Sequence, residues 1–114
     1  MKNKFKAAFV GILTGLRHRS IITQFILGAL AVLAGAALHL TTMEWMVVIV
    51  CIAVVIAAEM LNTCIELLCD LYTREYNEMI KAIKDIAAGA VLVVSIGALA
   101  AACMILMRHF GGLL

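Results

Sequence analysis

One stretch decides how this chain folds: Met46-Val-Val-Ile-Val-Cys-Ile-Ala-Val-Val-Ile-Ala-Ala-Glu59-Met-Leu-Asn62-Thr-Cys-Ile-Glu66-Leu-Leu-Cys-Asp70. Its first thirteen residues are all apolar, and a run of this length predicts a helix rather than a strand. Polar residues then follow at spacings of three, four and four: Glu59, Asn62, Glu66 and Asp70. With 3.6 residues per turn, these four side chains fall within roughly 80° of each other, on a stripe about 16 Å long.

The composition around this stretch predicts an integral membrane protein made of helices. The chain has 114 residues, of which 66% are hydrophobic and none is proline, and its mean hydropathy is +1.14. A soluble chain this short cannot bury that much apolar surface. We therefore predict an all-α membrane protein with a single domain over residues 1–114. The net charge of +2 is too small to indicate nucleic acid as a partner.

Three apolar segments are long enough to cross about 30 Å of hydrocarbon. We place these spans at about 21–40, 45–68 and 86–107, with a hydrophilic link over 71–84 between the second and the third. Apolar residues at helical spacing over 5–16, flanked by lysines, predict an amphipathic helix on the membrane surface. The alternative for this segment is a frayed cationic tail.

The positive charges predict the orientation of the spans. Eight of the nine lysines and arginines lie before the first span or between the second and third: Lys2, Lys4, Lys6, Arg17, Arg19, Arg74, Lys81 and Lys84. By the positive-inside rule, the N-terminus and the 71–84 link are cytoplasmic and the C-terminus is outside. Glu44 and His109 are then expected on the outer side, exposed to solvent.

The polar stripe is the candidate functional site. It lies in the cytoplasmic half of the second span, with Glu59 deepest and Asp70 at or beyond the surface. An ionisable group inside a membrane indicates function by default, and a stripe of carboxylate and amide oxygens suits a hard cation such as Mg²⁺. The stripe has to face other helices rather than lipid. Three helices leave little room to hide it, which favours a homo-oligomer.

Two blocks of this sequence resemble a known family. The first is Glu59-Met-Leu-Asn62-Thr63-Cys-Ile-Glu66-Leu-Leu-Cys-Asp70, and the second is Glu75-Tyr76-Asn77 followed by Lys84-Asp85-Ile-Ala-Ala-Gly89-Ala90-Val91. Their residues and spacing are similar to the signature of the bacterial integral-membrane diacylglycerol kinase and undecaprenol kinase family. The resemblance runs over nearly the whole chain and is strongest from residue 59 to residue 92.

The resemblance implies a trimeric kinase in the bacterial inner membrane. Such an enzyme transfers the γ-phosphoryl group of MgATP to the hydroxyl of a membrane lipid, here diacylglycerol or undecaprenol. It gives Glu59 the role of general base and Glu66 that of metal ligand. The residues it assigns to nucleotide binding are Asn62, Glu66, Asp70, Lys84 and Asp85. Tyr76 is either a further nucleotide contact or an aromatic residue at the membrane interface. The chemistry agrees, because phosphoryl transfer needs positioning, neutralisation of charge and a group that accepts the hydroxyl proton.

The sequence departs from the family at one position before the first span. Family members usually carry a glutamate there, which joins the Glu66 position at the metal, whereas this chain has His18 in the stretch His18-Arg-Ser-Ile-Ile-Thr-Gln24. Imidazole is a poor ligand for Mg²⁺. Either Glu66, water and phosphates hold the metal without a second acid, or activity is weakened. The alternative function is therefore a membrane scaffold that has kept the fold and lost catalysis. An apolar outer half in the second span speaks against a third idea, a transport or proton-relay subunit.

Overall fold

The computed structural model describes residues 2–111 as four helices in chain order. They are α1 (Lys2–Gly15), α2 (Arg19–Leu38), α3 (Thr42–Tyr72) and α4 (Glu78–Phe110). Within α2, α3 and α4, windows of 18 residues reach mean hydropathies of 2.2, 2.4 and 2.6. All three are long and apolar enough to cross a membrane, which confirms the prediction of an all-helical, multi-pass membrane protein. Residues 1 and 112–114 of the domain predicted over 1–114 lie outside the described part.

Helix α2 matches the first predicted span, with both boundaries shifted by two residues toward the N-terminus. It ends at Leu38 because His39 adopts a left-handed conformation, with φ of 55°. The backbone N–H of His39 donates to the carbonyl of Ala36, and that of Leu40 donates to the carbonyl of Gly35. These bonds satisfy carbonyl groups at the end of the helix. Residues 39–41 then turn the chain directly into α3.

Helix α3 begins with a capping box that the sequence analysis did not use. The Thr41 side chain accepts a hydrogen bond from the backbone N–H of Glu44, and the Glu44 carboxylate accepts one from the backbone N–H of Thr41. The pattern Thr-x-x-Glu before an apolar run is the sequence signature of this arrangement. With 31 residues, α3 is about 46 Å long. It therefore extends beyond the predicted span of 45–68 and carries Asp70 on a continuous helix.

Helix α4 shows that most of the predicted link is helical. The link over 71–84 is reduced to residues 73–77, because the Asn77 side chain accepts hydrogen bonds from the backbone N–H groups of Met79 and Ile80 and caps a new helix. The residues that follow this cap have favourable helix propensities, although several of them are charged. Lys84 and Asp85 therefore lie within α4, in its second and third turns, and not where a non-helical link meets the third span.

One face of α3 packs between α2 and α4. Its buried residues are Glu44, Glu59, Asn62, Thr63 and Cys69, and α2 and α4 are the helices that contact α3 most extensively. Close approach on the α2 side depends on Gly28 and Gly35, which are both buried. The need to hide the polar stripe from lipid therefore does not by itself require a homo-oligomer. A single chain already buries Glu59 and Asn62.

The other faces of these helices are covered with exposed apolar side chains. Leu33, Val50, Val93 and Leu99 are each more than half exposed, as expected for residues that meet lipid or a neighbouring subunit. Helix α1 also presents exposed apolar residues, and Phe5, Phe9 and Leu13 are each at least 64% exposed. Its bounds agree with the helix predicted over 5–16 to within three residues. Its position on the membrane surface stays a prediction.

Candidate functional site

The deepest part of the polar stripe is buried inside the protomer. Glu59, Asn62 and Thr63 are each 8% exposed, and they occupy successive positions on the packed face of α3. Isolated polar groups are costly in a low-dielectric environment. A buried carboxylate and a buried amide on one face of α3 therefore indicate a functional site rather than the polar end of a membrane span. Beside them, the Cβ position of Gly15 lies 3.6 Å from the Met60 side chain, which brings the end of α1 to the same region.

Asn62 and Glu66 form a hydrogen-bonded pair one turn apart. The Nδ2 amide of Asn62 donates to Oε1 of Glu66 at 2.9 Å, which fixes the orientation of the amide because a carboxylate only accepts hydrogen bonds. Asn62 thereby holds the carboxylate of Glu66, which is exposed. Its own carbonyl oxygen, Oδ1, is buried and has no hydrogen-bond partner in the described residues. That oxygen is an acceptor available to a ligand with an O–H or N–H group.

Asp70 and Lys84 join α3 to α4 near the short connection between these two helices. The Lys84 ammonium donates to Oδ1 of Asp70 at 2.7 Å, and both side chains are about 40% exposed. Both residues lie beyond the predicted spans 45–68 and 86–107. The hydrogen bond from Lys84 holds the pKa of Asp70 below its ordinary value, and the same bond raises the pKa of Lys84. The pair therefore stays charged and places one cation next to the carboxylates of the stripe.

Three of the other predicted site residues are not brought into this group. Tyr76 is 77% exposed in the short α3–α4 connection. Asp85 pairs instead with Lys81, whose ammonium lies 2.7 Å from its Oδ2. His18 is half-buried at the N-cap of α2 and its side chain makes no capping hydrogen bond. Their assignment to nucleotide or metal stays a prediction.

The predicted metal site is only partly assembled from protein groups. Among residues 2–111, no three side chains of His, Cys, Asp or Glu come together to hold an ion. Mg²⁺, however, is commonly bound by one or two carboxylates together with substrate phosphates and water. The exposed Glu66, with one oxygen held by Asn62, fits that arrangement. The donor set therefore suits a cation that arrives with a nucleotide.

Comparison with known proteins identifies the family. The family model described as prokaryotic diacylglycerol kinase matches residues 6–106, which is most of the chain. This protein belongs to the prokaryotic diacylglycerol kinase family. It is also similar to undecaprenol kinase of Bacillus subtilis (strain 168), with 39% identity over 64 residues, or 56% of this chain. The aligned part spans about half of that relative, 52% of its length.

Membership in the prokaryotic diacylglycerol kinase family confirms the resemblance found in the two sequence blocks. The matched range contains the whole stripe from Glu59 to Asp70, together with Lys84 and Asp85. It also contains the packed faces of all three apolar helices. The burial described above for each polar side chain is therefore that of a member of this family.

The sequence analysis missed a second polar contact, on the opposite end of α3. Glu44 is 5% exposed, and its Oε1 lies 3.0 Å from Nε2 of His109 on α4. The expectation that both residues are exposed to solvent is therefore wrong. The capping box points the Glu44 side chain back along α3, and α4 is long enough to bring His109 level with it. The Thr-x-x-Glu pattern at residues 41–44 was the available signal.

Proposed function

We propose that this protein is a lipid kinase that transfers the γ-phosphoryl group of MgATP to the hydroxyl of a membrane lipid, either diacylglycerol or undecaprenol. The observation that carries the proposal is the gradient of burial along one face of α3. Glu59 and Asn62 are buried at membrane depth, whereas Glu66 and Asp70 are exposed at the cytoplasmic end. A lipid hydroxyl and a water-soluble nucleotide can meet only on such a face.

The reaction needs one bond to form and one to break. The lipid hydroxyl oxygen attacks the γ-phosphorus, the bond to the β–γ bridging oxygen breaks, and ADP leaves. Glu59 accepts the proton of the hydroxyl, as a buried base close to the lipid phase. The unpaired Oδ1 of Asn62 accepts a hydrogen bond from an O–H or N–H group of the nucleotide, because the single hydroxyl proton of the lipid goes to Glu59.

The exposed end of the stripe binds the nucleotide in this proposal. Glu66 holds Mg²⁺ together with the phosphates, and the ion neutralises phosphate charge when it is bound. Lys84, fixed by Asp70, places its ammonium near the developing negative charge. Tyr76, which is 77% exposed in the α3–α4 connection, and Asp85, which pairs with Lys81 on α4, lie on the same side of the membrane and complete the nucleotide contacts in this proposal. The proposed cytoplasmic location follows from the positive-inside rule.

The proposed assembly is a homotrimer. Extended apolar faces on all three long helices leave ample surface for neighbouring subunits, and the family resemblance supports three copies. Chemical cross-linking of the purified protein in lipid nanodiscs should give dimer and trimer bands and none larger. A protein that stays monomeric at every protein-to-lipid ratio would contradict this part of the proposal.

The catalytic proposal is tested with the full chain in proteoliposomes. Labelled ATP and Mg²⁺ are supplied with each lipid alcohol in turn, and labelled phosphate is expected in the lipid phase. Glu59→Gln should lower kcat by about 10²-fold or more with little change in the KM for ATP, because the substitution removes the base and keeps the shape. Glu66→Gln should instead raise the KM for MgATP, since it removes a ligand charge.

A catalytically inactive scaffold is the alternative, and one observation favours it. His18 stands where the family usually has an acid, and no second carboxylate from the described residues joins Glu66. If no lipid alcohol is labelled under any metal condition, this alternative is correct. If labelling is robust but Glu59→Gln retains normal turnover, the kinase proposal stands and Glu59 is not its base.

A further inference from the structure

A buried carboxylate lies at the end of α3 opposite the polar stripe. One oxygen of Glu44, Oε1, accepts two hydrogen bonds, from the backbone N–H of Thr41 and from Nε2 of His109, each at 3.0 Å. The other oxygen, Oε2, is buried and has no hydrogen-bond partner in the described residues. A buried carboxylate is costly unless it is paired and hydrogen-bonded. This arrangement therefore depends on the group that compensates the charge of Glu44.

That group is His109, the ionisable side chain that contacts Glu44 within residues 2–111. The other charged or titratable groups at this end of the bundle are His39, where α2 ends, and Arg108 on α4, and both are exposed. Helix α1 brings no charge here, because its C-terminal end packs beside Met60, on the inner half of α3. The next ionisable side chains along α3 and α4 are thiols about two turns inward, Cys51 and Cys103.

The two ends of the α3–α4 hairpin differ in how they respond to pH. At the inner end, Lys84 donates to Asp70, and such a pair stays charged around neutral pH because the ordinary pKa values of aspartate and lysine lie near about 4 and 10. At the outer end, the partner of the carboxylate is a histidine, the side chain that ordinarily changes charge between about pH 5 and 8. The outer contact is therefore sensitive to pH near neutrality, and the inner one is not.

Loss of a proton from His109 leaves the buried carboxylate without an opposite charge. When the ring is protonated, both of its nitrogens are donors, and Nε2 forms a charge-assisted hydrogen bond with Oε1 of Glu44. The neutral ring keeps one proton, and only the tautomer that carries it on Nε2 can donate to Oε1. It offers a weaker bond and no charge, while Oε2 stays unpaired. Separation of the end of α4 from α3 then lets water solvate the carboxylate.

We propose that Glu44 and His109 form a proton-dependent clasp, which holds the last turn of α4 against the first turn of α3 while His109 is protonated and releases it as the pH rises. The positive-inside rule predicts that this is the outer face of the membrane, so the clasp responds to the external medium. Because the two residues are 65 positions apart on different helices, its release moves one helix end relative to another. The proposal does not depend on kinase activity.

The test measures the separation of the two helix ends as a function of pH. Spin labels are attached to cysteines at two exposed positions of the outer ends, Met43 and Met107, in a background without native cysteines. A second labelled pair at the exposed residues Leu71 and Ile86 reports on the inner end. The full chain is studied in nanodiscs and diluted with unlabelled protein, so that pulsed EPR gives distances within one copy. The pH is varied between about 5.5 and 8.5, where histidine changes charge.

We expect one short distance for the outer pair at the acidic end of this range and a growing population with a longer distance as the pH rises. The distance of the inner pair should stay constant. Since a single proton is released, the ratio of closed to open forms should fall by at most about tenfold per pH unit. An outer distance that does not respond to pH, a steeper response, or an equal change at both ends would overturn the proposal. This measurement needs no substitution at Glu44 or His109.

Matched substitutions then identify the group that titrates. Glu44→Gln keeps a residue that can complete the capping box and removes the charge, whereas His109→Gln keeps a donor that cannot be protonated. Both should abolish the pH response. His109→Lys stays charged over the whole range and should keep the short distance at every pH.

His39→Asn is the control, because it removes the other histidine at this end and asparagine tolerates the left-handed conformation of that residue. Its pH response should equal that of the wild type, and the inner pair shows in each variant that the hairpin is intact. A response that persists in His109→Gln, or that disappears in His39→Asn, would contradict the assignment of the clasp to Glu44 and His109.

Discussion

Replacing Gly28 by alanine tests how closely α2 and α3 pack against each other. A Cβ at Gly28 would lie 2.9 Å from Cγ2 of Ile52, which is closer than carbon atoms pack. Ile52 cannot easily turn away, because a β-branched side chain has one strongly preferred rotamer in a helix. Overpacking of this kind costs roughly 1–3 kcal/mol, and the better helix propensity of alanine offsets about 0.5–1 kcal/mol of it.

Gly97→Ala is the matched control for this prediction. No atom lies within 4 Å of a Cβ built at Gly97, so that variant should gain about 0.5–1 kcal/mol from helix propensity alone. The propensity term is common to both variants and cancels in the comparison. Gly28→Ala should therefore be less stable than Gly97→Ala by roughly 1–3 kcal/mol.

The free energy of unfolding is measured in mixed micelles titrated with a denaturing detergent. Trp45, the single tryptophan, packs against Gly35, so its fluorescence reports separation of α2 from α3. Gly28→Ala combined with Ile52→Ala should lose less stability than the sum of the two single substitutions, since the obstructing methyl group is gone. Equal stability of the two glycine variants would refute the close contact between α2 and α3.

Three further predictions concern charge and orientation. Because Lys84 lowers the pKa of Asp70, the Asp70 carboxylate stabilises the fold above its unfolded pKa, and that contribution is lost as the pH falls through its folded pKa. In Lys84→Met, the midpoint of the Asp70 titration, measured by NMR, should move up toward its ordinary value. An unchanged midpoint would contradict the Asp70–Lys84 pair. His18→Glu adds a hard oxygen ligand and should lower the Mg²⁺ concentration for half-maximal activity, while identical metal curves would place His18 away from the metal. In a background without native cysteines, an impermeant thiol reagent on intact cells should label a cysteine at Thr42 and not one at Asn77; the reverse pattern would invert the topology.

The number and type of the helices could be predicted because long apolar runs have few alternatives. The boundaries were less predictable where hydropathy and helix propensity disagree. Residues 78–84 carry three charged side chains, so hydropathy assigns them to the link, yet the Asn77 cap and good helix formers extend α4 through them. Glu44 was misplaced for a related reason. Hydropathy treats a carboxylate as solvated, whereas its capping bonds and His109 satisfy it in a buried position.

The candidate site could be predicted as a face but not as a set of contacts. Helical spacing put Glu59, Asn62, Glu66 and Asp70 on one side of α3, and burial of the first two agrees with this. Partners on other helices depend on the register between them, which a single sequence does not specify. The Asp70–Lys84 pair between α3 and α4 is one choice among several nearby charges.

The Glu44–His109 contact has a consequence for how lipid enters between the helices. Together with Asp70–Lys84, it fastens the α3–α4 hairpin at both membrane faces. Moving α4 aside breaks a polar contact at one end or the other. The described contacts of α2 with α3 near Gly28 and Gly35 are apolar, and lipid tails replace such contacts at little cost. We therefore expect α2 to be the movable wall of the bundle, so that the lipid acceptor of the proposed kinase arrives sideways past α2 while α3 and α4 stay in register.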